Sequence, residues 1–211
     1  MHRLSYCEVG GRLVFLDASA DRYFCLNYEA EDEFRKVGTK AKDWADASGQ
    51  TAGAGPFAGW NEAPRPCPAP AAARQSLLDE PGPAAGWART WLAVRRLQSA
   101  RLRFRLQSFA GALASFEKAK SRSATGCATA ADLAAELTGF LAAMRLLTTR
   151  DFCLSHSYAV ARFMLARGID ASLIFGVRLG PFAAHCWVQH GDCLLNDRLD
   201  TVRIFTPILV L

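Results

Sequence analysis

Residues 47–73 are so rich in alanine, glycine and proline that no regular helix or strand should run through them, and they divide the chain in two. The runs Ala52-Gly-Ala-Gly-Pro56 and Pro64-Arg-Pro-Cys-Pro-Ala-Pro70 mix residues of high backbone freedom with residues that lack an amide hydrogen. That is the composition of a connector. The residues before it read mainly as strand; those after it read as helix and then as strand again.

Before the tract, Leu4–Val9 and Arg12–Leu16 flank Gly10-Gly11, the two-residue signal of a tight hairpin. Asp17-Ala-Ser-Ala-Asp21 supplies a second turn and Arg22–Leu26 a third strand. Asn27 can cap a helix to about Val37, with Glu29, Glu31, Asp32 and Glu33 toward its positive end. Three short strands bury little alone, so helices must cover one face. A further short helix is expected at Ala71–Asp79, stopped by Pro81-Gly82-Pro83.

Helical spacing takes over beyond the tract. Trp87, Trp91 and Val94 are followed by Leu102, Leu106, Phe109, Leu113 and Phe116. After a Ser/Thr/Gly break at 121–129 come Leu133, Leu137, Phe140, Met144 and Leu147. Stripes of this period are expected to be core. Asp151 can cap a helix from Cys153 to Arg167, which Gly168 ends. Ser172–Arg178 reads as a buried strand and Leu179-Gly-Pro181 as a turn. Ala184–Gln189 and Cys193–Asp197 read as two strands joined around His190-Gly191-Asp192. The fold class is therefore α+β, with units at 1–83 and 84–211. The second divides into a helical part, 84–149, and a C-terminal core, 150–211.

Hydrophobic residues at 51% and charged residues at 21% fit a folded globular chain and exclude global disorder. The formal charge of +5 gathers around Arg95–Arg105, where a solvated helix face accounts for it better than a nucleic-acid surface. No signal-peptide core and no membrane-length apolar run are present, so a cytoplasmic location is expected, without membrane or nucleic-acid partners. Seven scattered cysteines are then expected to be reduced thiols.

A thiol becomes a nucleophile as thiolate, and its pKa falls at a helix N-terminus and beside histidine. Cys153 meets the first condition by position. His185, on a following strand, is the histidine able to face it; His2 is terminal, His156 shares the Cys153 helix and His190 lies in a turn. If the hairpin loop is 190–192, Gln189 pairs with Cys193 and His185 falls opposite Asp197, within reach of a hydrogen bond that would orient the imidazole. A two-residue loop at Gly191-Asp192 would shift the register and bring Asn196 to that face instead. A metal site built from Cys153, His156, His185, Cys186, His190 and Cys193 is disfavoured, because adjacent strand residues point to opposite faces and no repeated C-x-x-C occurs. No metal or cofactor is expected.

The segments Arg150–Tyr158, Leu165–Gly168, Phe175–Arg178, Pro181–Val188 and Thr206–Ile208 resemble the leader peptidases of lasso-peptide biosynthesis, whose fold is transglutaminase-like and of the papain type. That resemblance implies Cys153 as nucleophile, His185 as base and Asp197 as third member. Cys186 stands where the family usually has alanine. Leu13–Asp17 and Arg22–Asn27 are similar to the PqqD-like leader-recognition domain, a small winged-helix-like unit of three strands plus helices, here fused to the peptidase. Members of that family bind the leader as an added β-strand. By this resemblance the leader would lie along Arg22, Tyr23, Phe24, Cys25 and Leu26, with Leu77 and Leu78 of the expected 71–79 helix as the other wall. The implied function is cleavage of the leader–core amide of a ribosomally made precursor. The implied partners are that precursor and an ATP-dependent, asparagine-synthetase-like lasso cyclase. The alternatives are a transglutaminase-like acyl transferase and a non-enzymatic peptide-binding protein.

Overall fold

The computed structural model describes residues 4–37, 63–79, 84–122, 128–146 and 152–211. Its N-terminal sheet begins with β1 (Leu4–Val9), β2 (Arg12–Asp17) and β3 (Arg22–Cys25). Gly10 and Gly11 both take positive φ, 57° and 80°, the pair of left-handed residues a two-residue hairpin demands. Val9 therefore pairs with Arg12. Asp17 Oδ1 closes the second turn by accepting from the amides of Ser19 and Ala20. Beside β1 lies a fourth strand not expected from the sequence, β4 (Arg65–Pro66), running parallel to it. Pro66 is tolerated there because the strand is at the sheet edge.

Successive residues of β2 point to opposite faces, and both faces are buried. Leu13 and Phe15 pack with Phe34 of α1 (Tyr28–Val37), while Val14 and Leu16 join the main core. This explains why β2 reads as a continuous apolar run rather than an alternating one. The helix starts as expected: Asn27 Oδ1 accepts from Ala30 N at 2.8 Å. Glu31, buried under the sheet, accepts from Arg12, Arg35 and Leu13 N. Burial alone would raise its carboxyl, but these donors carry it below the usual range.

Among the described residues, the helices that come next are α2 (Trp87–Leu106), α3 (Phe109–Lys120), α4 (Ala130–Leu146) and α5 (Cys153–Ala166). Phe109, Leu113, Phe116, Leu133, Leu137 and Phe140 are buried as their period predicts. The first stripe is a correction. Trp87 is 84% exposed and Trp91 61%, and Leu102 and Leu106 are exposed too; α2 instead buries Ala93, Leu97 and Ala100. Small side chains let α2 and α4 approach closely: a Cβ on Gly139 would sit 2.5 Å from the Arg89 carbonyl oxygen. The tryptophans, Leu102 and Leu106 are turned out, while Leu97 is buried and Val94 packs against the core. Leu147 lies outside the described residues.

The C-terminal sheet has the order β5-β8-β7-β6-β9, with β5 (Gln75–Ser76), β6 (Ser172–Arg178), β7 (Ala183–His190), β8 (Cys193–Leu194) and β9 (Thr206–Val210). A single turn, α6 (Leu199–Val202), precedes β9. Gly168, at φ 74°, ends the α5 segment as expected: its amide bonds Leu165 O and the amide of Ile169 bonds Met164 O. Gly176 admits Trp187 against β6, since a Cβ there would meet the indole at 2.6 Å.

The expected helix at Ala71–Asp79 does not form. Gln75 and Ser76 pair in parallel with Cys193 and Leu194, and Leu77 N donates to Leu194 O. An open sheet edge satisfies these backbone groups, and that outweighs the helical preference of the Ala-Ala-Ala run. The C-terminal sheet thus takes its edge strand from before residue 83. No helix among the described residues is long and apolar enough to cross a membrane.

Candidate active site

Cys153 is the first residue of α5, half-buried, and lines a cavity of about 810 Å³ together with His185 and Asp197. Phe152 stands at the cap position without a side-chain acceptor, so the positive end of the helix falls at Cys153. The expected cap, Asp151, lies outside the described residues. His185 projects from β7 with Nε2 bonded to Asp197 Oδ2, and it is also within hydrogen-bonding reach of Cys153. With Nε2 held by the carboxylate, Nδ1 is the nitrogen left for the thiol. Burial alone would lower this imidazole, but the bonds to Asp197 and Cys153, and then their charges, carry it to about 9. It is therefore an imidazolium at neutral pH.

The three residues meet, though not through the expected register. Gln189 pairs with Leu194 and His190 with Cys193, which makes the loop Gly191-Asp192. Strand alternation would then turn Asp197 away from His185 and present Asn196. Alternation does not reach that far: β8 ends at Leu194, and the last backbone bond of this pairing is Leu195 N to Val188 O. Asn196 turns inward and its side chain replaces the ladder, Oδ1 accepting from Val188 N at 2.7 Å. Its Nδ2 donates to Ser157 Oγ at 2.8 Å, and Ser157 donates to Cys186 O. Asn196 thus ties α5 to β7, while Asp197, beyond the ladder, meets His185. Asn196→Ala would strand the buried Val188 amide and remove two bonds, an expected loss of about 2–3 kcal/mol. Denaturant unfolding measures it, and a loss under about 0.5 kcal/mol would show that the network contributes nothing.

Sequence reasoning missed the residues that hold this arrangement. Ser76 Oγ donates to the Asp197 carbonyl at 2.6 Å, and Asp79 Oδ2 accepts from Leu199 N. Neither carries a local signal, because both depend on the unforeseen β5 pairing. Arg101 belongs to the stretch expected to be a solvated basic face, yet its guanidinium lies 3.7 Å from the Phe152 ring centroid. It also donates to His156 Nε2 at 3.0 Å. His156 is buried; burial first, then the Arg101 charge, hold it at about 4, so it is a neutral pillar under the start of α5. Burial, only partial at the largely exposed Cys25, likewise raises the thiols of Cys7, Cys25, Cys67, Cys186 and Cys193, which keeps them protonated at neutral pH.

The expected leader-binding residues separate into two groups. Arg22 and Cys25 are exposed on β3, an edge strand of the N-terminal sheet among the described residues. Phe24 stacks on Phe15, and Tyr23 meets Phe182 of the β6–β7 turn. Leu26 is half-buried, and its carbonyl accepts from Arg12. Leu77 and Leu78 are the correction. No helix carries them at 71–79: Leu77 is buried in the main core, against which Tyr23 also packs, and Leu78 lines the Cys153 cavity.

A cysteine at the head of a buried helix, beside a largely antiparallel sheet that supplies a histidine paired to a carboxylate, defines the class of this α+β protein. The chain belongs to the transglutaminase-like superfamily, whose family model matches residues 92–210. Over 45 residues it is 49% identical to the microcin J25-processing protein McjB of Escherichia coli. That match covers 21% of this chain and 22% of the relative, so only about a fifth of the relative's length is spanned. No solved structure matches.

Proposed function

We propose that this chain is a cysteine peptidase that removes the leader from a ribosomally made lasso-peptide precursor. The observation that carries the reading is His185, held by Asp197 and within reach of Cys153 at an open cavity. The Cys153 thiolate attacks the carbonyl carbon of the leader–core amide. The His185 imidazolium gives its proton to the departing core amine, which leaves the leader as a thioester on Cys153. Water, deprotonated by His185, then attacks that thioester and frees the leader carboxylate and the thiol. The part-length likeness to a microcin-processing protein supports a peptide precursor as substrate.

In the same reading the N-terminal sheet is a PqqD-like recognition unit. The leader adds as a strand along Arg22–Cys25, where the outward backbone groups of β3 are unpaired by other strands among the described residues. The freed core amine passes to an ATP-dependent, asparagine-synthetase-like cyclase in the cytoplasm. The superfamily description favours one rival, transfer of the acyl group to an amine instead of water. Mass spectrometry of the chain incubated with its precursor separates the two. Two fragments whose masses sum to precursor plus water are expected. An adduct formed only with added amine would favour transfer, and intact precursor would overturn both.

A further inference from the structure

Resting on that reading of the site, we infer that the cavity beside Cys153 is a carboxylate subsite in which Arg178 selects an acidic side chain of the substrate close to the scissile bond. Arg178 ends β6 two residues beyond Gly176, the cross-strand partner of His185. Positions 176 and 178 share a sheet face, as do paired residues, so Arg178 and His185 project to the same side. Phe205 lies between them, its ring 5.1 Å from the His185 ring and 5.9 Å from the Arg178 guanidinium carbon. Both side chains line the cavity that holds Cys153.

The charges of this cavity are unbalanced. Among the described residues that line it, Asp197 is the sole carboxylate, and His185 already engages it. Arg178 and Arg198 are the two guanidinium groups, and His156 is held neutral. Arg178 Nε is shut off from solvent and has no hydrogen-bond partner among the described atoms. A buried donor of this kind is costly unless something arrives to accept from it. The guanidinium fork matches a carboxylate with two parallel bonds. Leu78, Met144 and Ile204 give the remaining wall an apolar lining. An Asp or Glu side chain, its methylene stem on that wall and its carboxylate on Arg178, satisfies both features.

The test is a set of peptides spanning the precursor's cleavage junction, in which one Asp or Glu, or its uncharged isostere Asn or Gln, is walked through the flanking positions. At one position the full-length wild-type chain is expected to favour the acid by about tenfold or more in kcat/KM, chiefly through KM. Arg178→Gln removes that preference and Arg178→Lys keeps part of it. A wild-type chain that cleaves acid and amide peptides alike at every position overturns the inference, as does an Arg178→Gln variant that still discriminates. An Arg178→Gln variant that loses kcat equally on both members of each pair also overturns it, by placing Arg178 on the reacting carbonyl. Titrating the same pairs into full-length Cys153→Ala, followed by calorimetry, reads the preference as binding. A preference for the acid with no cleavage by the wild type would sink the peptidase reading and leave the subsite standing.

Discussion

Cys153→Ala is expected to abolish precursor cleavage, by at least about a thousandfold, while the chain stays folded. The side chain is half-buried at the first position of α5, where alanine is well tolerated in helical geometry. What disappears is the sulfur, and no other thiol among the described residues can replace it. Cys186 is close enough to Cys153 for their charges to interact, yet it is fully enclosed and its thiol is pushed well above the ordinary value. Cys153→Ser is expected to be nearly as inactive. A hydroxyl does not ionise to form the ion pair with a His185 that is already protonated at neutral pH. The measurements are cleavage rate by mass spectrometry and melting temperature of the variant. Wild-type cleavage by a folded Cys153→Ala protein would remove the nucleophile assignment, and with it the mechanism. A thiol-reactive probe gives an independent check: it should label the native wild type at Cys153 and leave this position silent in the variant.

Local chemistry was legible in the sequence wherever the structure uses it locally. Gly10-Gly11 marks a hairpin because two left-handed residues are required there. Asn27 marks a helix start and Gly168 a helix end for equally local reasons. The approach of His185 to Asp197 was legible through the resemblance to a known family, but not through the strand register expected for the hairpin. With the Gly191-Asp192 loop, persistent alternation would have turned Asp197 away from His185; the two meet because β8 is two residues long and Asn196 breaks away to serve Val188 and Ser157. Strand length is set by what surrounds the hairpin, which a single segment does not reveal. The same holds for β5, whose Ala-rich flank reads as helix until the open edge of β8 recruits it. Ser76 owes its hold on the Asp197 carbonyl to that pairing alone. The α2 stripe failed because a period of 3.6 gives the spacing of a buried face but not which face it is. The face that packs carries Ala93, Leu97 and Ala100, and the α2 backbone at Arg89 lies against Gly139, so the tryptophans are left outside.

Asp197→Asn is expected to lower kcat/KM by on the order of a hundredfold or more and to move the alkaline limb of its pH profile to lower pH. In the proposed mechanism the nucleophilic Cys153 works beside a His185 imidazolium, so activity is expected to fall as pH rises through the imidazolium's pKa. In the wild type that limb belongs near 9, because the bonds and charges of Asp197 and Cys153 overcome a burial that by itself lowers the imidazole. Asparagine keeps the shape and one hydrogen bond but removes the charge, so burial is left with less opposition and the limb descends toward neutrality. A neutral imidazole neither holds the thiolate nor supplies the proton that the departing amine needs, which is why rate and pH profile change together. Asn196→Ala is the informative control. Asn196 bonds Val188 and Ser157 rather than His185, so its loss should reduce stability while the alkaline limb stays where it was. If Asn196→Ala moves the limb and Asp197→Asn does not, the orienting role passes to Asn196 and the charge on Asp197 has no part in the chemistry.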